Sequence, residues 1–100
     1  MAIYVISVEL KNDIHPFDEF QKHLAKYGST LCIFESTFLL DSKLLMDEIS
    51  SELDQMLQVK AYFVNKFDPY DYWGWLPESQ QKWISDRGID LQASFIILNE

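Results

Sequence analysis

Ile3-Tyr4-Val5-Ile6-Ser7-Val8-Glu9-Leu10 is the stretch on which the reading of this chain turns. Along an extended backbone Tyr4, Ile6, Val8 and Leu10 fall on one side, and Ile3, Val5, Ser7 and Glu9 on the other. A period of two, in residues rich in β-branching, marks a strand. A polar turn follows at Lys11-Asn12-Asp13. Pro16 then suits the first position of a helix, with Asp18 and Glu19 in the first turn, where the helix dipole favours acids. Phe17, Phe20, Leu24 and Tyr27 recur at helical spacing, and Gly28 fits the position just past the helix end.

Thr30 to Phe34 and Thr37 to Leu40 are an apolar run interrupted by Glu35-Ser36. Two short antiparallel strands with a tight connection is the preferred reading, with one bent strand as the other. Asp41 and Ser42 offer capping groups for a second helix, whose core stripe is Leu45, Ile49, Leu53, Met56 and Leu57. Val59 to Phe67 alternates again, Tyr62 and Val64 opposite Ala61 and Phe63. The order β-α-β-β-α-β predicts an α+β fold of the ferredoxin-like kind, an antiparallel sheet with helices on one face. Two additions follow it: a short helix from Pro77 through Trp83 and Ile84 to Gly88, and an apolar run, Ala93 to Leu98, read as an added edge strand. Such an edge, carrying Phe95, Ile96, Ile97 and Leu98, either covers its own sheet or joins a partner subunit. Without repeats, linkers or low-complexity tracts, residues 1–100 are expected to form a single domain.

Composition bounds the function. Hydrophobic residues are 48% of the chain and aromatic residues 15%, which argues against a disordered chain. Cys32 is the only cysteine, so no intramolecular disulfide exists and nothing asks for an oxidising compartment. No stretch approaches the roughly 20 apolar residues of a membrane span, and the chain is expected to be cytoplasmic without membrane partners. Sixteen acidic residues against eight basic ones give a formal charge of −8, and Arg87 is the one arginine. Nucleic-acid backbones are gripped by clustered Lys and Arg, so this balance disfavours nucleic acid as a partner.

Local motifs are sparse. Glu35-Ser36-Thr37 is a polar cluster that turn chemistry accounts for, since the hydroxyls bond to nearby backbone. His15 and His23 lack the i, i+4 spacing of a metal pair, and no cysteine or carboxylate spacing completes a zinc site. Cys32 lies in a strand pattern with no base near it in sequence, and reads as a structural cysteine. With three glycines there is no phosphate-cradling loop. The aromatic segment Tyr70-Asp71-Tyr72-Trp73-Gly74-Trp75-Leu76-Pro77 stands out more. Tyr70, Tyr72, Trp73 and Trp75 lie within six positions, a density found at binding surfaces and base-stacking platforms. Stacking platforms interleave basic residues, whereas the neighbours here are Asp68, Asp71 and Glu78. Packing against the sheet or contact with a partner protein is therefore favoured, with Phe95 and Ile97 of the last apolar run as further partner-binding candidates.

Several strings carry a resemblance. The first strand, Ile3 to Leu10, resembles that of small proteins related to CRISPR-associated protein 2 and virulence-associated protein D, most closely their SinR-like branch. Glu35-Ser36-Thr37-Phe38 is similar to that branch's acidic-Ser-Thr-aromatic string. Asp47-Glu48-Ile49 with Leu53 resembles its second helix, and Trp73-Gly74-Trp75-Leu76-Pro77 with Trp83-Ile84 its aromatic tail. The resemblance implies a homodimer with two sheets facing each other. In that superfamily some members are metal-dependent endoribonucleases using an acidic residue at the end of the first strand, and others are non-catalytic scaffolds.

The matching acidic position is Glu9, where the resemblance leads one to expect aspartate. The extra methylene would displace a metal from a site shaped for the shorter side chain. Glu9 is thus the candidate catalytic and metal-binding residue, with Ser7 beside it on the same strand face. The expected cofactor is none, or Mg²⁺ or Mn²⁺ if the protein is catalytic. Three functions follow. The first is a homodimer acting through protein contacts without efficient catalysis, with a protein partner in a defence or mobile-element system. The second is a metal-dependent endoribonuclease of toxin or defence type, using Glu9 from both protomers. The third is an acidic nucleic-acid mimic that inhibits a defence enzyme.

Overall fold

The computed structural model describes residues 2–11 and 16–88. They fall into two compact units, one ending at Phe67 and one beginning at Asp68. The first unit contains β1 (Ala2–Leu10), α1 (Pro16–Leu24), β2 (Gly28–Phe34), β3 (Thr37–Ser42), α2 (Met46–Asp54) and β4 (Val59–Phe67), and the second contains α3 (Glu78–Arg87). The four strands form one open sheet in the order β2-β3-β1-β4, antiparallel at each pairing. Among the described residues the fold is therefore α+β, a four-stranded antiparallel sheet with three helices. No helix among the described residues is long and apolar enough to cross a membrane.

Alternation in β1 has the consequence expected of it. Tyr4, Ile6 and Val8 are buried in one cluster with Phe38 and Leu40 of β3, Phe20 and Leu24 of α1, and Ile49 and Leu53 of α2. The Phe20 and Phe38 rings meet 5.3 Å apart at a 55° tilt, within the geometry their quadrupoles favour. Polar tips then position α2. The Tyr4 hydroxyl donates to the Leu44 carbonyl at 2.7 Å, Tyr27 to the Glu52 carboxylate at 2.9 Å, and Tyr62 to the Asp54 carboxylate at 2.7 Å. Each places an apolar ring against the core and gives its hydroxyl an acceptor, which a buried polar group requires. Ser42, itself buried, donates to the Tyr27 carbonyl at 2.6 Å and accepts from the Leu44 N–H at 3.1 Å.

Several expectations need correction. Gly28 does not end α1: the helix stops at Leu24, a turn continues through Tyr27, and Gly28 opens β2 opposite Ser42. Glycine is demanded there by close approach, because a Cβ would collide with the Asp41 backbone carbonyl. Asp41 and Ser42 do not cap α2, since β3 runs on through both to pair with Ile3 and Ala2. The residue before α2 is Leu45, whose N–H is capped by the Glu48 carboxylate at 2.8 Å. Leu45 precedes the helix and Leu57 follows it, so neither is in phase with the stripe, and both are exposed. Ile49 and Leu53 are buried as the spacing requires, and Met56 packs against the same core.

The hairpin between β2 and β3 turns on Glu35-Ser36, which settles the two-strand reading. Two irregularities re-aim side chains. Between the pairs Cys32–Phe38 and Phe34–Thr37 the register slips at Ile33, and between Glu9–Ala61 and Leu10–Val59 it slips at Lys60. Each is one extra residue in one strand, which shifts the residues beyond it to the opposite face.

In the second unit α3 runs from Glu78 to Arg87, between Pro77 and Gly88 as expected. Gly88 is again a matter of space, since a Cβ there would lie 2.7 Å from the Tyr70 ring. The guanidinium of Arg87 sits 3.6 Å over the Trp83 ring centre and donates to the Trp83 carbonyl at 3.0 Å. The predicted strand 93–98, with Phe95 and Ile97, and His15 lie outside the described residues.

Candidate functional site

Ser7 and Glu9 lie on the face of β1 turned away from α1 and α2, because they alternate with the buried Tyr4, Ile6 and Val8. Ile3 and Leu39 are buried on that face, but the row through Ser7 is not. Cross-strand register lines up one residue from every strand in the order of the sheet. Phe34 of β2 faces Thr37 of β3, Thr37 faces Ser7 of β1, and Ser7 faces Phe63 of β4. The centre of the row is polar, the Ser7 and Thr37 hydroxyls lying 3.1 Å apart. Its ends are rings, Phe34 at 61% and Phe63 at 67% exposure. The slip at Ile33 is what carries Phe34 to this face, since unbroken alternation from Cys32 would have turned it towards the helices.

The backbone ties the hairpin to this row, with the Val8 N–H donating to the Ser36 carbonyl at 3.0 Å. Thus Glu35-Ser36-Thr37 acts both as turn and as site: Glu35 and Ser36 make the connection, and Thr37 joins Ser7. Two residue pairs further along β1, Glu9 faces Ala61, and the Lys60 ammonium lies 3.5 Å from the Glu9 carboxylate. Both side chains are 64% exposed, so this is a solvated pair of small energetic weight.

Mg²⁺ and Mn²⁺ are hard cations that bind through carboxylates and water. Within one chain the donors do not suit them: Glu9 supplies one carboxylate, and Lys60 sets a positive charge beside it. Among the described residues no group of three or more His, Cys, Asp or Glu converges on a point. Cys32 packs partly buried against the helix-side core and donates its thiol to the Phe34 carbonyl at 3.1 Å. Burial, and next the negative charge of Asp18, push that thiol's pKa up, away from the thiolate a nucleophile needs.

The aromatic segment departs from the first half of its expectation. Trp73 and Trp75 are not packed: they are 93% and 89% exposed. Tyr70 is also exposed, and Tyr72 is half-buried, its phenol pKa raised by burial. The segment leaves β4 through a turn in which the Asp71 N–H donates to the Asp68 carbonyl at 3.1 Å and the Tyr70 N–H to the Asp68 carboxylate at 2.9 Å. It re-enters regular structure where the Gln81 side chain donates to the Leu76 carbonyl at 2.6 Å.

Sequence reading placed Ser7, Glu9 and Trp73–Trp75 but passed over Phe34, Phe63, Thr37 as the partner of Ser7, and Lys60 as the partner of Glu9. Phe63 was within reach, since the alternation in β4 already set it opposite Tyr62. Phe34 and Lys60 depend on register slips, which leave no mark in local periodicity. No family model, curated protein or solved structure matches the chain.

Proposed function

We propose that this chain is a homodimeric ferredoxin-like protein of the CRISPR-associated protein 2 and virulence-associated protein D superfamily, acting through protein contacts without efficient catalysis. The observation that carries the reading is the Phe34–Thr37–Ser7–Phe63 row. It has a polar centre and an exposed ring at each end, on the sheet face turned away from α1 and α2. Two such rows laid face to face bury four rings and remove apolar surface from water, the main driving force of association. Support for the ferredoxin-like assignment is the strand order β2-β3-β1-β4, with α1 joining β1 to β2 and α2 joining β3 to β4. The proximity of Lys60 to Glu9 argues for a solvated ion pair in preference to a metal ligand.

Light scattering on the purified chain tests the dimer. The expected mass is twice that of the chain, returning to monomer when Phe34→Asp and Phe63→Asp are combined. A monomer at micromolar concentration sinks the proposal. The endoribonuclease reading keeps one observation in its favour, that Glu9 is exposed on the same face as the row, so that facing protomers would bring two carboxylates to one side. RNA cleavage in Mg²⁺ or Mn²⁺ that vanishes in Glu9→Ala would replace the non-catalytic reading with that one.

A further inference from the structure

Three tryptophans lie within eleven positions of the second unit, and they are treated differently. Trp83 is half-buried in α3 and already has a cation, the Arg87 guanidinium, 3.6 Å over its ring. Trp73 and Trp75 present almost their whole surface to solvent. Isolated exposed apolar residues need no explanation, but two indoles held in water two positions apart do. Their segment is fastened at both ends, by the Asp68 turn and by the Gln81–Leu76 bond. Gly74 between them has nothing within 4 Å of where a Cβ would stand.

Charge selects the occupant. From Asp68 to Gln81 the charged residues are Asp68, Asp71 and Glu78, with no lysine, arginine or histidine among them. A nucleic-acid strand stacking on these rings would bring phosphates to carboxylates. A cationic partner gains twice, because the indole face attracts cations more strongly than the other aromatic rings do, and the carboxylates raise the local concentration of positive charge. The Arg87–Trp83 contact shows the same recognition already made inside this unit.

We infer that Trp73 and Trp75 are a docking site for an arginine-rich segment of a partner protein, the rings taking guanidinium groups and Asp71 and Glu78 steering them in. The inference deepens the protein-contact reading but does not depend on the sheet-face dimer.

Calorimetry on the whole chain tests it, with three probes: a decapeptide of alternating Arg and Gly, the same peptide with Glu for Arg, and a ten-nucleotide oligouridine. The Arg peptide is expected to bind with an affinity that falls as salt is added, and the Glu peptide and oligouridine not to bind. Combining Trp73→Ala with Trp75→Ala should weaken Arg-peptide binding by about tenfold or more, with the dimer mass by light scattering unchanged. Neutralising Asp71 and Glu78 together should weaken binding and flatten its salt dependence, and Glu19→Gln on α1 should do neither. Arg-peptide binding that survives loss of both tryptophans, or that Glu19→Gln weakens as much as Asp71→Asn does, overturns the inference. So does oligouridine binding that the tryptophan variants abolish. A fall in mass in the tryptophan variants would instead make a second copy of the chain the occupant. Loss of the dimer in the Phe34/Phe63 variant with Arg-peptide binding intact would separate the two proposals.

Discussion

The core of the unit ending at Phe67 and the Trp73–Trp75 segment of the unit beginning at Asp68 spend their aromatic residues in opposite ways. In the first, Tyr4, Phe20 and Phe38 are wholly enclosed, and each buried phenol has a hydrogen-bond acceptor. In the second, two of the unit's three tryptophans, Trp73 and Trp75, face water. Composition counts both sets as one hydrophobic resource, but only the first stabilises this chain alone. The difference teaches that the second set is available for contacts outside the fold.

Substitutions should divide along the same line. Phe38→Ala, which removes the ring that Phe20 packs against, should cost about 3–5 kcal/mol in urea unfolding. Gly28→Ala forces a methyl into the Asp41 carbonyl and should cost about 1–3 kcal/mol or prevent folding, whereas Gly74→Ala, with open space around it, should leave the unfolding midpoint where it is. Tyr27→Phe should cost about 1 kcal/mol by removing the bond to Glu52. Alanine at both Trp73 and Trp75 should change stability by less than about 0.5 kcal/mol. A large loss there would mean that the rings belong to the fold after all, and the comparison would collapse.

Alkali offers a gentler probe of the first unit. The phenol pKa values of Tyr4 and Tyr27 are raised chiefly by burial, and that of Tyr62 chiefly by its bond to the Asp54 carboxylate. The neutral phenol is thus favoured by folding. Below the ordinary tyrosine value of about 10 this contribution is complete. It is lost as pH rises from there through the raised folded values, because the unfolded chain ionises first. Urea midpoints should therefore fall as pH rises above about 10, and fall less steeply in Tyr27→Phe. A slope unaffected by that change would remove Tyr27 from the account.

Local periodicity made much of the fold legible. The alternation of Ile3–Leu10 and the helical recurrence of Phe20 and Leu24 each reported a buried face, because burial depends only on neighbours a few positions away. Gly28 misled, since glycine signals both a helix end and a tight strand approach, and the second depends on Asp41 across the sheet. Lys60 and Phe34 were hidden for the same reason, as register between distant strands is not a property of either strand. The site was legible to that extent and no further: Ser7 and Glu9 were found, but the residues facing them were not.

The central place of β1 has a consequence for how the chain is made. Its two edges are covered by β3 and β4, and β4 leaves the ribosome after some 49 further residues beyond Leu10. At about 5–20 residues per second, one edge of an almost wholly apolar strand waits several seconds for its neighbour. During that interval the nascent chain presents the kind of unpaired edge that recruits other strands. Slowing translation between Ser42 and Val59 should therefore lower the soluble yield of this protein more than slowing it after Phe67.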